Sequence, residues 1–344
     1  MDYSLFMDPG INTAVQNFSV PLTSFFVQWL FLDTMPWYFL VISVITLGLH
    51  PHYGVRLITL FGINDGFNEA FKLAFHMPRP YWVSESVTVY TAHSSFGFPS
   101  GAAMYGMVLY GYIATVVRRY WAYILCGILL LLASLSRIFA GIHFMLDIFG
   151  GWFFGIIILV LFLLVWPKVE EYAARLSLPG RLVLFVFISA VPLLLVYLAF
   201  LSLGSWQLPG AWADLALLKT GSAINPARIQ DAYGSAGLIF GALTGYEFLS
   251  YRGGWNPPDD WKRRAAVIVP GTLSVLCIAA LLPVLGETLG IAAFSEPLAG
   301  FLSMAGTTFW LIAGVPSLAT LAGFQQMREG STTAKTGILK DQIV

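Results

Sequence analysis

The chain has 344 residues, of which 58% are hydrophobic and 10% charged, and its formal net charge is zero. A soluble domain carries about 25% charged residues, so the composition excludes an ordinary soluble protein and predicts an integral membrane protein. The absence of net charge gives no indication of nucleic acid as a partner. Cys126 and Cys277 both lie in apolar runs, so we predict no disulfide framework and no metal motif. We also predict no cofactor.

The apolar runs predict an all-α fold, a polytopic transmembrane helical bundle of about nine spans, because each run approaches the ~20 residues that cross a bilayer. The stretch before the first span, about 11–33, is apolar but interrupted, and we expect an amphipathic helix lying flat in the membrane interface. The predicted spans are 35–50, 55–75, 100–117, 121–141, 146–166, 182–203, 232–250, 266–286 and 299–323.

A charged connection near 167–182 divides these spans into two groups. We therefore expect four parts along the chain. They are an interfacial N-terminal segment (1–34), a helical core (35–167), a C-terminal transmembrane extension (182–323) and a polar, disordered tail (324–344).

The positions of Lys and Arg predict the orientation, since cytoplasmic connections carry the excess of positive charge. All but five of the 18 Lys and Arg residues fall on one side of the predicted bundle, which should be cytoplasmic. With nine spans the N-terminus is then outside and the C-terminus inside. The five residues expected at the outer face are Lys72, Arg79, Arg137, Lys219 and Arg228.

The second predicted span contains the first group of polar residues. Asp65, Glu69 and Lys72 share a helix face, and Asn68 is spaced to reach Lys72 as well. Ionisable groups within a span are costly and normally face a polar interior. Arg79 follows between two prolines that favour an extended backbone, and its planar guanidinium suits two phosphate oxygens. The alternative is an intrahelical pair between Glu69 and Lys72 with no further role.

Pro99-Ser100-Gly101 precedes the third predicted span. Proline suits a first helical turn, and the free N–H groups of a helix start favour an anion. The Ser100 hydroxyl would add a donor, and Gly101 would let an oxyanion approach the backbone. Alone, such a tripeptide is usually a turn.

The third group joins the fourth and fifth spans. Arg137 lies at the end of the fourth span. His143 and Asp147 stand four residues apart at the start of the fifth span, so we expect them on one helix face. A carboxylate bonded to one ring nitrogen fixes the tautomer and leaves the other nitrogen free to attack. The alternative is a polar histidine at the interface, which the neighbouring Arg137 and Asp147 disfavour.

Together the three groups resemble the signature of the type 2 phosphatidic acid phosphatase (PAP2) superfamily, which includes glucose-6-phosphatase, sphingosine-1-phosphate phosphatases and vanadium haloperoxidases. The resemblance implies a PAP2-like catalytic core at 35–167, with the extension outside it. The residues that carry it are Lys72, Arg79-Pro80, Pro99-Ser100-Gly101, Ser136-Arg137, His143 and Asp147.

The resemblance implies a metal-independent phosphatase. The distribution of Lys and Arg places its site at the outer, non-cytoplasmic face, and the position of the site at the membrane surface favours a membrane lipid phosphate as substrate. His143 would take the phosphoryl group as phosphohistidine and Asp147 would orient its ring. The residues that would hold the phosphate oxygens are Lys72, Arg79, Ser100, Gly101 and Arg137. Fixed cations would then neutralise the charge that metal ions neutralise in other phosphoryl-transfer enzymes.

One position departs from the family pattern Pro-Ser-Gly-His, because Ala102 stands where the histidine would be. That histidine would protonate the leaving alcohol and later activate water, and losing a general acid costs ~10²–10⁴ in rate. Three explanations stay open: an engineered His→Ala change that silences the enzyme, another histidine (His93 or His76) acting as the acid, or a natural non-catalytic protein that binds lipid phosphates.

The connection at 81–98 is expected to border the site. Its aromatic side chains, Tyr81, Trp82 and Tyr90, suit an interface where an acyl chain enters sideways, or an ordinary aromatic belt. This favours a lipid phosphate, with phosphatidate, phosphatidylglycerophosphate, sphingosine 1-phosphate and polyprenyl pyrophosphate all open. Pro80-Tyr81-Trp82 also looks like glucose-6-phosphatase, so a sugar phosphate stays an alternative. The sequence does not indicate an oligomeric state.

Overall fold

The computed structural model describes residues 8–18, 20–290 and 295–324, and its regular elements there are all helical. The predicted all-α, multi-pass helical bundle is confirmed, while the expected polar tail lies outside the described residues apart from Phe324. The α-helices are α1 (Pro9–Phe18), α2 (Val20–Val27), α3 (Met35–Gly48), α4 (Pro51–Phe75), α5 (Pro80–Val83), α6 (Gly101–Val117), α7 (Tyr120–Phe139), α8 (Met145–Arg175), α9 (Leu178–Ser202), α10 (Gly210–Thr220), α11 (Asp231–Tyr251), α12 (Trp261–Thr288), α13 (Glu296–Phe309) and α14 (Val315–Leu321).

Every predicted span coincides with a helix, but the count of nine spans is not confirmed. Within the described residues, five helices are long and apolar enough to cross a membrane: α7, α8, α9, α12 and the continuous unit α13–α14, which includes a π-helical turn. A sixth results if residues 20–33 and α3, which meet at a bend of 61°, form one broken span. Helices α3 and α6 have 14 and 17 residues, so each is short for a span, and α4 carries four charged side chains.

The N-terminal segment differs from the single interfacial helix that we expected. It consists of α1, α2 and a 3-10 helix (Gln28–Asp33), and α2 and the 3-10 helix pack against α7. Phe26 stacks on Phe139 of α7 with ring centroids 4.4 Å apart. Asn12 of α1 is buried, and its amide donates to the carbonyl oxygen of Ile138 in α7 and to that of His143 beyond α7. Because these contacts pair polar groups as well as apolar ones, the segment joins the bundle instead of resting beside it.

The core and the C-terminal extension form one packed body. Helix α4 contacts α6 of the core and both α9 and α11 of the extension, and α11 packs along α13. A Cβ added at Gly66 of α4 would lie 2.5 Å from Cβ of Pro192 in α9. A Cβ added at Gly241 of α11 would clash with the carbonyl oxygen of Ala305. Small residues at these crossings let helix backbones approach closely, as is usual between membrane helices.

An ion pair links α4 and α8 at the end of the bundle opposite the predicted site. Arg56 donates two hydrogen bonds to the carboxylate of Glu170, and the Trp166 indole N–H also donates to Glu170 at 2.8 Å. The side chains of Arg56 and Glu170 are 24% and 19% exposed, so the pair is largely shielded from water. Removing one partner of a shielded pair leaves the other charge uncompensated.

We expect Glu170→Gln to lower the free energy of unfolding by roughly 1–3 kcal/mol, between the values for exposed and fully buried pairs. Thermal unfolding in detergent measures this change. The matched control is Glu171→Gln, because Glu171 pairs with Arg175 on the exposed surface of the same helix, with side chains 56% and 72% exposed. An equal loss of unfolding free energy in both variants would show that the ion pair between α4 and α8 stabilises the protein no more than an exposed ion pair does.

Candidate functional site

Four helix ends meet at one end of the bundle and bring the predicted site residues together. Helices α4 and α7 end there, and α6 and α8 begin there, because successive helices of the core alternate in direction. The site residues predicted from the sequence are all buried at this end: Lys72, Arg79, Ser100, Gly101, Ala102, Arg137, His143 and Asp147.

His143 and Asp147 form a buried pair. The Nδ1 atom of His143 lies 3.1 Å from Oδ2 of Asp147, and the Phe144 backbone N–H donates to the same oxygen at 2.8 Å. We expected this contact to lie along one helix face, but it does not. Helix α8 begins at Met145, so His143 precedes the helix and Asp147 reaches back to it from the first turn. The Oδ1 atom of Asp147 has no hydrogen-bond partner among the described residues. The second ring nitrogen, Nε2, faces Arg79.

Arg79 has the expected extended backbone, with φ −92° and ψ 156°. Its guanidinium is buried and uses all five donors within the protein. One of them, on Nη1, lies 3.3 Å from Nε2 of His143. The other partners are the carbonyl oxygens of Ser95, Phe96 and Ile142 and the hydroxyl of Ser95, at 2.7–3.2 Å. Arg79 therefore holds two connections together while directing one edge of its fork to the histidine.

The start of α6 supplies neutral donors. Ser100 is the residue before the first helical residue, Gly101, so Pro99 lies outside the first turn and not within it as predicted. The Ser100 backbone N–H donates to the Asp147 carbonyl oxygen at 2.9 Å. The Ser100 hydroxyl is buried and has no partner among the described residues. A free hydroxyl beside the open N–H groups of a helix start is suited to an anion.

Two of the cations are paired with carboxylates. Lys72 Nζ donates to Glu69 Oε1 at 2.6 Å, as the intrahelical alternative predicted. Arg137 donates to the Leu30 carbonyl oxygen at 3.0 Å and lies 3.3 Å from Oδ2 of Asp33. Sequence reasoning did not find Asp33. A carboxylate in an apolar N-terminal stretch was the available signal, since such groups are rarely left without a partner.

Two further sequence predictions are corrected by the structure. Asn68 was expected to reach Lys72, but its amide donates to the Pro99 carbonyl oxygen at 3.2 Å. Tyr81 and Trp82 were expected at the membrane interface, yet both are completely buried. Trp82 lies against Trp212 of α10, with ring centroids 6.3 Å apart. The extension thus covers this connection from outside, which no local pattern indicates.

The extension also anchors the connection through one lysine. Lys219 of α10 donates to the carbonyl oxygens of Ser84, Glu85 and Val87 at 2.6–2.8 Å. Three carbonyl oxygens on one ammonium form a charge-assisted clamp. The C-terminal half therefore holds the connection that follows Arg79.

The two alternative histidines occupy different environments. His93 is largely buried, its backbone N–H and carbonyl bond to the Tyr81 hydroxyl, and burial together with nearby Arg79 lowers its pKa to about 2. His76 ends α4 in a left-handed conformation and lies beside Trp206, with ring centroids 5.9 Å apart. Its described hydrogen bond is local, to the Ala74 carbonyl oxygen at 3.2 Å. His93 is consequently neutral near the site cations. The ring of His76 makes its described hydrogen bond to Ala74 and not to His143 or Asp147.

The neutral form of His143 is favoured by its surroundings. Burial, followed by the positive charge of Arg79, holds the pKa of His143 well below its usual value of 6.5. A neutral ring keeps a lone pair on one nitrogen, which is the form that can attack phosphorus. Within the described ranges, no three His, Cys, Asp or Glu side chains are grouped to hold a metal ion.

This shift predicts the acid side of the pH profile. For any turnover that uses His143 as a nucleophile, we expect the rate to stay constant as pH falls to 6.5 and to decline only below it, as the buried ring gains a proton. The unfolded chain binds that proton already near pH 6.5, so stability should also fall from there downwards. Initial rates of phosphate release between pH 4 and 8 test this. An acid limb centred above pH 6.5 would contradict it.

Comparisons with known proteins agree with the signature residues. The profile of the PAP2 superfamily matches residues 53–171, and that of the PAP2 superfamily phosphatase transmembrane extension matches residues 233–327. Phosphatidylglycerophosphatase B of Bacillus subtilis is 27% identical over 117 residues, covering 31% of this chain and 55% of the relative. Undecaprenyl-diphosphatase of Sulfolobus acidocaldarius is 29% identical over 104 residues, covering 30% of this chain and 50% of the relative.

A third relative covers more of this chain. Sphingosine-1-phosphate phosphatase 1 of Rattus norvegicus is 28% identical over 156 residues, covering 40% of this chain and 35% of the relative. The chain thus spans about half the length, or less, of these curated relatives. No solved structure matches it.

Proposed function

This chain belongs to the PAP2 superfamily, and on that basis we propose that it is an integral-membrane phosphohydrolase that removes phosphate from a lipid phosphate monoester or pyrophosphate. The relatives support a lipid substrate, since their names denote phosphatases of phosphatidylglycerophosphate, sphingosine 1-phosphate and undecaprenyl diphosphate. The distribution of Lys and Arg supports an active site at the outer face, because the site lies at the end of the bundle opposite the basic connections.

The observation that carries the proposal is the buried line of groups from Asp147 through His143 to Arg79. Asp147 would hold the proton on Nδ1 of His143 and so leave a lone pair on Nε2. Nη1 of Arg79 lies 3.3 Å from Nε2, and a bound phosphate would take over this Arg79 donor and leave the Nε2 lone pair free to attack phosphorus. The bond from Nε2 to phosphorus forms while the P–O bond to the leaving group breaks, and the leaving alcohol, or phosphate from a pyrophosphate, takes a proton from an acid. Water then attacks phosphorus and gives a proton to the conjugate base of that acid, the P–N bond breaks, and phosphate and neutral His143 are released.

The phosphate oxygens would be held by cations and neutral donors around this line. They are Lys72, Arg79, Arg137, the Ser100 hydroxyl and the Gly101 backbone N–H. Positioning and charge neutralisation provide most of the rate enhancement in phosphoryl transfer. A chelator should therefore leave phosphate release unchanged, since the fixed cations do the work of metal ions in this proposal.

Ala102 removes the acid from this scheme. It is the second residue of α6 and is buried beside the start of the helix, where a methyl group supplies no proton. We infer that this chain is an impaired form of the enzyme. His93 is a weak substitute, because a ring with a pKa of about 2 is not in the acidic imidazolium form at neutral pH. The same alanine favours a second candidate, a non-catalytic protein that binds lipid phosphates.

Phosphate release from a panel of substrates tests the proposal. The panel contains phosphatidate, phosphatidylglycerophosphate, sphingosine 1-phosphate, a polyprenyl pyrophosphate and glucose 6-phosphate, with the protein in detergent and a chelator present. The protein with Ala102 is compared with its Ala102→His variant. Release from lipids only by the variant supports an impaired lipid phosphatase. Preference for glucose 6-phosphate supports the sugar phosphatase alternative, and binding without release from either protein supports the binder.

A further inference from the structure

A carboxylate from the N-terminal segment lies on one of the site cations. Oδ2 of Asp33 is 3.3 Å from the Arg137 guanidinium, and both side chains are largely buried, at 17% and 3% exposure. The same guanidinium nitrogen donates to the Leu30 carbonyl oxygen at 3.0 Å. The Nε atom of Arg137 is buried with no partner among the described residues. Arg137 is thus bonded on one edge by the 3-10 helix and has an unused donor.

The position of Asp33 is determined by several contacts. Its other oxygen, Oδ1, accepts a hydrogen bond from the Tyr38 hydroxyl. The segment before it is attached to the end of α7 by the stacking of Phe26 on Phe139. Asn12 donates to the carbonyl oxygens of Ile138 and His143, both at 3.0 Å. The carboxylate is therefore part of the folded site, although it is 104 residues before Arg137 in the chain.

Two anions cannot both use this cation fully. A phosphate that binds Arg137 must share or take the guanidinium from Asp33, and two negative groups at one cation repel each other strongly where little water is present. We propose that Asp33 is an internal competitor that weakens the binding of phosphate at Arg137. This rests on the proposed function, because it concerns the same anion site. The competitor limits retention of the phosphate product, and Asp33 is a residue that sets affinity and not a catalytic one.

The test is the affinity of inorganic phosphate for the full-length chain in detergent, measured by calorimetric titration. Asp33→Asn keeps the size of the side chain and an acceptor for Tyr38 but removes the charge. We expect it to bind phosphate about tenfold or more tightly, as removal of a nearby like charge predicts. The matched control is Asp8→Asn, since Asp8 is an exposed carboxylate of the same segment that bonds the Gly10 backbone N–H. It should leave the affinity unchanged.

A structural role for Asp33 predicts a different result. If the carboxylate only holds Arg137 in place, Asp33→Asn will bind phosphate equally or more weakly, and either outcome overturns the proposal. Adding Arg137→Gln to Asp33→Asn should remove the gain in affinity, because the competition takes place on that guanidinium. A gain that persists without Arg137 also overturns it.

Thermal unfolding gives a second measurement on the same variants. Without phosphate, Asp33→Asn should be less stable than the unsubstituted protein. Added phosphate should raise the melting temperature of Asp33→Asn more than that of the unsubstituted protein, since a ligand that binds more tightly stabilises more. If neither the unsubstituted protein nor any variant binds phosphate, then the proposed anion site, the proposed function and the role of Asp33 are all rejected. If all of them bind phosphate with the same affinity, only the proposed role of Asp33 is rejected.

Discussion

Replacing Ala102 with histidine is expected to raise phosphate release from the preferred substrate by about 10²–10⁴-fold, the contribution of a positioned general acid. The residue stands in the first turn of α6, next to Gly101 and close in sequence to the free Ser100 hydroxyl, so an imidazole there would be near the phosphate oxygens. Protonation of the leaving alcohol lowers the barrier for P–O cleavage. Colorimetric or radiometric phosphate release, compared at equal protein concentration, measures the gain.

A control of similar size separates proton donation from packing. Ala102→Asn introduces a polar side chain that does not titrate, so it should stay near the rate of the given chain. If the histidine and asparagine variants gain equally, the effect is on structure and the acid assignment is wrong. If the given chain already turns over at the rate of the histidine variant, an existing group such as His93 provides the proton.

Removing His143 is the change with the largest expected loss. In the Ala102→His background, His143→Ala should reduce phosphate release to the uncatalysed background, a factor on the order of 10⁴ or more, because the proposed covalent route would lose its nucleophile. The phosphorylated intermediate should disappear as well. Rapid quench with labelled substrate, followed by detection of acid-labile protein phosphate, measures both.

Matched histidine variants show whether the loss is specific. His76→Ala in the same background should retain most of the activity, because the ring of His76 bonds locally to the Ala74 carbonyl oxygen. His93→Ala should lose less than His143→Ala, since His93 is outside the contact with Asp147. High turnover by the His143→Ala variant would exclude this residue as the nucleophile.

Much of the site could be anticipated from local spacing. The interval of four between His143 and Asp147 predicted their contact, although the helix begins later than expected and the carboxylate reaches back to the ring. The alternation of apolar spans predicted that the ends of α4, α6, α7 and α8 would meet. Both inferences depend on regular periodicity and chain direction, which a single sequence displays directly.

Contacts between distant segments could not be anticipated in this way. The bond from Asn12 to the His143 carbonyl oxygen joins residues 131 positions apart, and no pattern in either segment signals the other. Burial of Tyr81 and Trp82 depends on where α10 packs, so an interfacial position was a reasonable expectation that the fold overturned. The count of nine spans is also not confirmed, because hydropathy does not distinguish a helix in lipid from one enclosed by neighbouring helices.

The sequence by itself determined that this is a membrane protein of helices, and it supplied the candidate residues of a phosphate site. The first follows from composition and periodicity, and the second from residue chemistry at short intervals, whereas the assignment of Ala102 to the position of a histidine rests on the resemblance to the PAP2 superfamily. Only the tertiary structure decided which groups satisfy the charged side chains at the site. Arg137 has Asp33 beside it, and all five donors of Arg79 are used by the protein, because packing brings remote groups into a region with little water, where each buried charge requires a partner.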